Sequence, residues 1–350
     1  MIITYFRSSS FNGYDLCPRS YFSDYVLGRS GPGGLAADKG TIVHKILETM
    51  AVAKKGKQEK KKSITDDICG VVPTKEYDIN KLVECVYGYY SKHLTHHDWT
   101  EKDYKDCKDW TWQALQYNDG QFDPRNRTIV AAEPYFDIEI QEPWAMYDYE
   151  IDGKRAQGFL SLKGTIDLVT KVGPKAYEIV DYKSGGYRKN WATGKTKELE
   201  DFYHDPQLRM YHYAVHKMYD VDTVVATIFY IRAGGPFTVC LDKDELPKTE
   251  EMIRKQFEKI KADVNPQMCP SDQRWKCRKF CHQGQSTFEG TDIVPIQEFR
   301  RGYPTRYGET MTKCEQIAFE ISRKGEKKVM QEYTAKGHSV AFYKDPGSVE

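Results

Sequence analysis

The chain has 350 residues, 39% hydrophobic and 29% charged, enough to bury a full core as one large domain with insertions. No apolar run approaches the length that spans a membrane, and residues 1–5 (MIITY) lack a basic stretch followed by an apolar one, so a cytoplasmic protein with no membrane role is expected. Nine Cys in a reducing compartment read as free thiols plus one metal cluster, and a net charge of +1 leaves a polyanionic partner open, since an acidic metal site can offset a basic groove.

Residues 1–50 read as a short helix, a turn and a second helix, with Ser8, Ser9 and Ser10 as caps for the first. In the second, Ile42, Val43, Ile46, Leu47 and Met50 recur at helical spacing, giving one buried stripe and leaving His44 and Glu48 on a neighbouring face. The charge run 54–62 (KKGKQEKKK) is a solvated loop or frayed helix end, and a solubilising role outweighs nucleic-acid contact. Residues 77–117 form a further helical stretch; Tyr87, Tyr89, Tyr90, Trp99, Tyr104, Trp110 and Trp112 suit a core better than platforms for unpaired bases.

From 129 the pattern becomes stranded: 129–140, 146–151, 159–172 and 176–182, broken by Gly153, Gly173 and Pro174. A helix over 202–219, strands near 223–232 and 237–241, a helix near 244–262 and another near 310–334 follow. This is an α/β chain whose central mixed β-sheet is flanked by helices.

Two strands carry the chemical signal. In Gly164-Thr165-Ile166-Asp167-Leu168 an acid interrupts an apolar run; later, Glu178-Ile179-Val180-Asp181-Tyr182-Lys183 sets Asp181 and Lys183 two apart. Side chains at i and i+2 share a strand face, so Asp181 and Lys183 project together and Glu178 projects oppositely, away from any shared site. A hairpin would bring Asp167 beside Asp181, and two adjacent carboxylates repel unless a cation such as Mg2+ or Mn2+ lies between them. A buried Asp181–Lys183 salt bridge on a sheet rim explains the same pattern without a metal.

The wider sequence resembles the RecB-like branch of the PD-(D/E)XK nuclease superfamily. Four segments carry the resemblance in order: Cys17-Pro18-Arg19-Ser20-Tyr21 after a serine-capped helix; Gly40-Thr41-Ile42-Val43-His44 opening a helix; Gly164 to Asp167 followed by Asp181-Tyr182-Lys183-Ser184-Gly185; and Gln207 with Tyr211 in Pro206-Gln207-Leu208-Arg209-Met210-Tyr211. It spans about residues 8–282 and implies a restriction-endonuclease-like core over 1–282, with a helical insertion at about 51–128 and an extension at 283–350. By resemblance His44, Asp167, Asp181 and the backbone carbonyl of Tyr182 are metal ligands, Lys183 is the catalytic lysine, and Gln207 and Tyr211 flank the site on one helical face.

Many members of this branch hold a 4Fe-4S cluster with one Cys before the core and three after it. Cys17, Cys269, Cys277 and Cys281 are the corresponding residues, although their downstream spacing departs from the family's; zinc on the same thiolates, with His282, and plain buried thiols are the alternatives. Arg188, Lys189, Trp191, Lys195 and Lys197 follow the Asp-x-Lys strand and either track a DNA backbone or form a mobile loop. The resemblance implies a DNA nuclease, an exonuclease on single-stranded ends in recombination, repair or bacteriophage DNA metabolism, acting in the host cytoplasm if viral. A structure-selective endonuclease and a DNA-binding protein with a vestigial site are the competing readings. No phosphate-binding Gly-x-x-x-x-Gly-Lys-Ser/Thr loop is present, so unwinding needs a helicase or recombinase partner.

Overall fold

The computed structural model describes residues 1–8, 10–26, 33–151, 154–188, 194–264, 266–269, 281, 287–288, 311–325 and 328–329. In chain order these form β1 (Tyr5–Arg7), α1 (Gly13–Leu16), α2 (Pro18–Tyr21), α3 (Leu35–Gln58), β2 (Ser63–Asp66), β3 (Gly70–Pro73), α4 (Ile79–His93) and α5 (Glu101–Gln116). The strands β4 (Ile129–Ala132), β5 (Tyr135–Glu139), β6 (Met146–Ile151), β7 (Lys154–Phe159), β8 (Ser161–Thr165), β9 (Leu168–Gly173) and β10 (Ala176–Lys183) follow. Then come α6 (Leu199–Tyr203), α7 (Pro206–Met218), β11 (Thr223–Tyr230), β12 (Gly235–Asp242), α8 (Leu246–Ala262), β13 (Thr287–Phe288), β14 (Met311–Thr312) and α9 (Lys313–Lys324). The chain divides into two compact units, one of Met1–Pro32, Asp137–Lys163 and Glu250–Glu350, the other of Gly33–Phe136 and Gly164–Thr249. No described helix is long and apolar enough to cross a membrane.

The second unit holds a five-stranded mixed sheet in the order β12-β11-β10-β9-β4, in which β10 runs parallel to β11 and the other pairs are antiparallel. Both faces of β10 are covered, which accounts for its nearly continuous burial from Glu178 to Tyr182. One face packs against the helical layer: Leu168, Val180 and Tyr182 join Ile42, Val43, Ile46, Leu47 and Met50 of α3 together with apolar residues of α4 and α5. The other face of the sheet meets α6 and α7, where Phe202 and Leu208 pack on Ala226, Ile228 and Leu241.

The helices start where their sequences supply caps. Asp78 accepts from the Asn80 N–H at α4, Thr100 and Asp103 form a reciprocal capping box at α5, and Asp205 accepts from the Gln207 N–H at α7, with Pro206 opening the first turn. Six of the seven aromatics named in 77–117 are core, Trp110 buried and Tyr87, Tyr90, Trp99, Tyr104 and Trp112 packed around the same cluster, whereas Tyr89 is exposed and stacks on His93. The charge run after Met50 continues α3 to Gln58, so its first half is a helix end rather than a loop.

Several expectations are corrected. Residues 5–7 are a strand, and Ser10 closes the turn after it, bonding the Arg7 N–H and C=O, while the residue before α1 is Asn12, which makes no side-chain cap; Ser9 lies outside the described residues. The resemblance has Gly40 opening its helix, but α3 starts at Leu35. The apolar stretches 129–140 and 159–172 are each two strands, split at Glu133-Pro134 and at Ile166-Asp167. Cys69 and Cys85 are disulfide-bonded rather than free, because the β2–β3 turn brings Cys69 over α4, with the two Cα atoms 5.9 Å apart.

Candidate active site

The hairpin β9–β10 pairs Leu168 with Val180, which places Asp167 at the end of β9 beside the last residues of β10. The Tyr182 backbone N–H donates to Asp167 Oδ2 at 2.7 Å, so the two acid-bearing segments are locked by backbone as well as by ladder. Asp181 and Lys183 project to one face, where Lys183 Nζ lies 2.6 Å from Asp181 Oδ2. The Asp181 side chain is buried, and Lys183 is the charged partner that reaches its Oδ2. Glu178 projects to the other face and is held by Arg127 and by the Thr227 hydroxyl. Strand parity therefore separates the two acids of β10 as the sequence indicates.

Two helices complete the site. From α7, Gln207 Nε2 donates to Asp181 Oδ1 at 3.0 Å and to the Tyr211 hydroxyl at 2.9 Å, the i, i+4 spacing putting both side chains on the face that meets β10. From α3, His44 Nδ1 stands 3.5 Å from Asp167 Oδ2. α3 approaches closely at Gly40: a Cβ there would come within 2.5 Å of Ser184 Oγ, just past the Asp-x-Lys strand, and would oblige that hydroxyl to rotate away.

A carboxylate that strand periodicity does not reveal joins them. Glu133 sits at the break between β4 and β5 with φ of 44°, a conformation that non-glycine residues rarely adopt. Its N–H donates to the Asp167 carbonyl at 3.0 Å, and its carboxylate lies with His44 and Asp167 in a group whose ligand atoms are all within 4.8 Å of one another. The signal available in sequence was an acid directly before a proline within an otherwise apolar strand.

The electrostatics are those of buried acids facing one lysine and one histidine. Burial pushes Asp167 up, but His44, Lys183 and the Tyr182 N–H outweigh it and hold the carboxyl below its ordinary value. Burial raises Asp181 to about 6, with Asp167 adding to the rise and Lys183 opposing it. Burial, Glu48 and Asp167 raise Glu133 to about 7. Burial lowers both His44 and Lys183, yet the neighbouring carboxylates prevail and both end above their ordinary values.

The donor set suits a divalent cation. One imidazole and several carboxylate oxygens are ligands for Mg2+ or Mn2+. A recess of about 10 Å³, the size of one water or ion, is lined by His44, Glu48, Glu133 and Asp167. It adjoins a larger pocket of about 410 Å³ bordered by His44, Tyr90, Lys183 and Ser184.

Other expected site residues are placed as follows. Arg188 stacks its guanidinium on Phe237 at 4.3 Å, Lys197 ion-pairs with Asp205 at 2.5 Å, and Lys195 is exposed, while Lys189 and Trp191 lie outside the described residues. Cys17 and Cys269 are buried and Cys281 is half-buried with its Sγ 3.6 Å from Ser20 Oγ, all in the first unit; Cys277 and His282 lie outside the described residues.

A mixed sheet whose inner strand presents an Asp-x-Lys pair, faced by a helical histidine and a second aspartate, defines a nuclease core that works with divalent metal. Residues 8–283 match the PD-(D/E)XK nuclease superfamily, and the chain belongs to that family of DNA-cleaving enzymes. Among solved structures, a candidate exonuclease from Eubacterium rectale is similar at 11% identity, with 78% of this chain and 88% of that chain covered and a TM-score of 0.43. The structure of SSO0001 is similar at 10% identity, with 80% and 84% covered and a TM-score of 0.29. Likenesses this loose add nothing to the assignment. No curated protein matches the sequence significantly.

Proposed function

We propose that this nuclease belongs to the RecB-like branch and is an exonuclease that hydrolyses single-stranded DNA from free ends. The observation that carries the reading is the convergence of His44, Asp167, Asp181 and Lys183 with Gln207 at the ends of β9 and β10. His44, Asp167, Asp181 and the Tyr182 carbonyl would hold Mg2+ or Mn2+, with Glu133 beside them. Such an ion, when bound, acts as a Lewis acid on a phosphate oxygen and lowers the pKa of water.

The chain's own groups supply the rest. Lys183 stays protonated because Asp181 and Asp167 favour its charge, so Nζ can stabilise the negative charge that develops on the phosphate or orient the attacking water. Gln207 fixes the direction of the Asp181 carboxylate by donating to Oδ1, and Tyr211 in turn fixes Gln207. The pocket of about 410 Å³ beside Lys183 has room for one nucleotide next to the Asp-x-Lys pair.

Degradation of linear and circular single-stranded DNA, and of linear duplex, in Mn2+ tests the proposal. The expected result is breakdown of linear single strands, sparing of circles, and loss of activity in Lys183→Ala. Cleavage of circles would replace the exonuclease by an endonuclease, and undiminished activity in Lys183→Ala would overturn the site itself.

A further inference from the structure

A second set of side chains of metal-ligating type lies outside the nuclease site, where the first turn of α3 meets the α4–α5 loop. Asp38, in the first turn, is six residues before His44 and so about 9 Å from it along the axis. Two consecutive histidines from the α4–α5 loop reach it: His96 Nε2 and His97 Nε2 each lie 2.8 Å from the same oxygen, Asp38 Oδ2. The ligand atoms of all three are within 4.8 Å of one another, and the imidazoles sit with centroids 4.2 Å apart at an interplanar angle of 51°. No residue is shared with the His44–Glu133–Asp167 group.

We propose that Asp38, His96 and His97 form a second metal site, selective for Zn2+ or a similar late first-row dication. Two imidazoles and one carboxylate with a position left for water is a zinc-type donor set, whereas Mg2+ and Ca2+ favour sites in which oxygen ligands predominate. Water can reach the group from the side of His96, whose side chain is 32% exposed, while His97 and Asp38 are more enclosed, at 16% and 13%. Zinc–ligand bonds of about 2.0–2.1 Å imply ligand–ligand spacings near 3.3 Å, so loading asks each imidazole to retreat by about half an ångström.

The loop that offers the histidines is already fixed. Trp99 Nε1 donates to the Leu94 carbonyl at 2.9 Å, the Tyr87 hydroxyl to the Thr100 carbonyl at 3.0 Å, and His97 packs edge-on against Trp99. The two imidazoles are therefore presented at little further cost in chain entropy. A bound ion would fasten residues 58 and 59 positions apart in sequence, clamping the start of the helix that carries His44. Lys39, the next residue, is fastened in the same direction by Asp103 and Asp106 of α5.

The test compares the chelator-stripped wild type with His96→Gln and His97→Gln, each reloaded with zinc in excess Mg2+ and counted by elemental analysis after desalting. Wild type should retain one more equivalent of zinc than either variant. Its thermal midpoint should rise by several degrees with zinc while the variants' does not, and Co2+ should give a visible-region absorption that both variants lose. Contributions from the nuclease site and from the cysteines are common to all three proteins and cancel. Equal zinc counts in the three would overturn the proposal, leaving a hydrogen-bonded His–Asp–His cluster.

Discussion

Replacing Glu133 by Gln tests whether that carboxylate takes part in metal loading. A cation needs its acids ionised, and in the metal-free protein Asp181 titrates at about 6 and Glu133 at about 7. At pH 8 both are largely ionised; at pH 5 roughly nine in ten Asp181 and ninety-nine in a hundred Glu133 carboxyls carry protons that the ion must displace. Mn2+ affinity should therefore fall by about 10³-fold between these values, ~4 kcal/mol, and His44, also raised, adds in the same direction. In Glu133→Gln only the Asp181 proton remains of that pair, and the share of the fall due to the two carboxyls shrinks from about 10³-fold to about 10-fold. Calorimetric titration across this range, in buffers of different ionisation enthalpy, reads the affinity and the protons released. The reasoning fails if the variant keeps the wild-type slope, or if wild-type affinity is flat. The same groups set the metal-free stability: both are raised above their unfolded values, so their contribution is present at low pH and is lost as pH rises through about 6 and 7.

Lys183→Met should lower turnover by about 10²-fold or more while Mn2+ still binds, and should push Asp181 above 6 by removing the cation beside it; strong activity together with an unshifted pH profile would contradict the role given to Nζ. Gln207→Ala leaves Asp181 Oδ1 without its donor and should cost about 10- to 100-fold in metal affinity or rate, which titration and initial rates distinguish. Arg127→Met strips the partner from a buried Glu178 and should cost ~3 kcal/mol in urea denaturation, yet leave activity per folded molecule unchanged; lost metal binding would mean that Glu178 belongs to the site after all.

What the sequence made legible follows from which periodicities hold locally. Asp181, Lys183 and Glu178 sorted correctly because β10 is regular from Tyr177 onward, past the irregularity at Ala176, so parity alone separates its faces. Gln207 and Tyr211 sorted because α7 is a capped, unbroken helix and i, i+4 residues share its face. Period-two reasoning fails at Glu133, where a positive φ ends the alternation, and at Asp167, where β8 gives way to β9. These two failures are one structural event. The Glu133 N–H bonds the Asp167 carbonyl and the Ile166 N–H the Pro134 carbonyl, so the interruptions of two apparent strands hold each other and turn both acids toward His44. Asp38, His96 and His97 escape any local template, because their convergence depends on how α3 meets a loop distant in sequence, as the Cys69–Cys85 pairing depends on a hairpin lying over α4. Regular segments thus disclose which face a functional group occupies, while the breaks that assemble such groups are legible only as places where an acid precedes a proline or interrupts an apolar run.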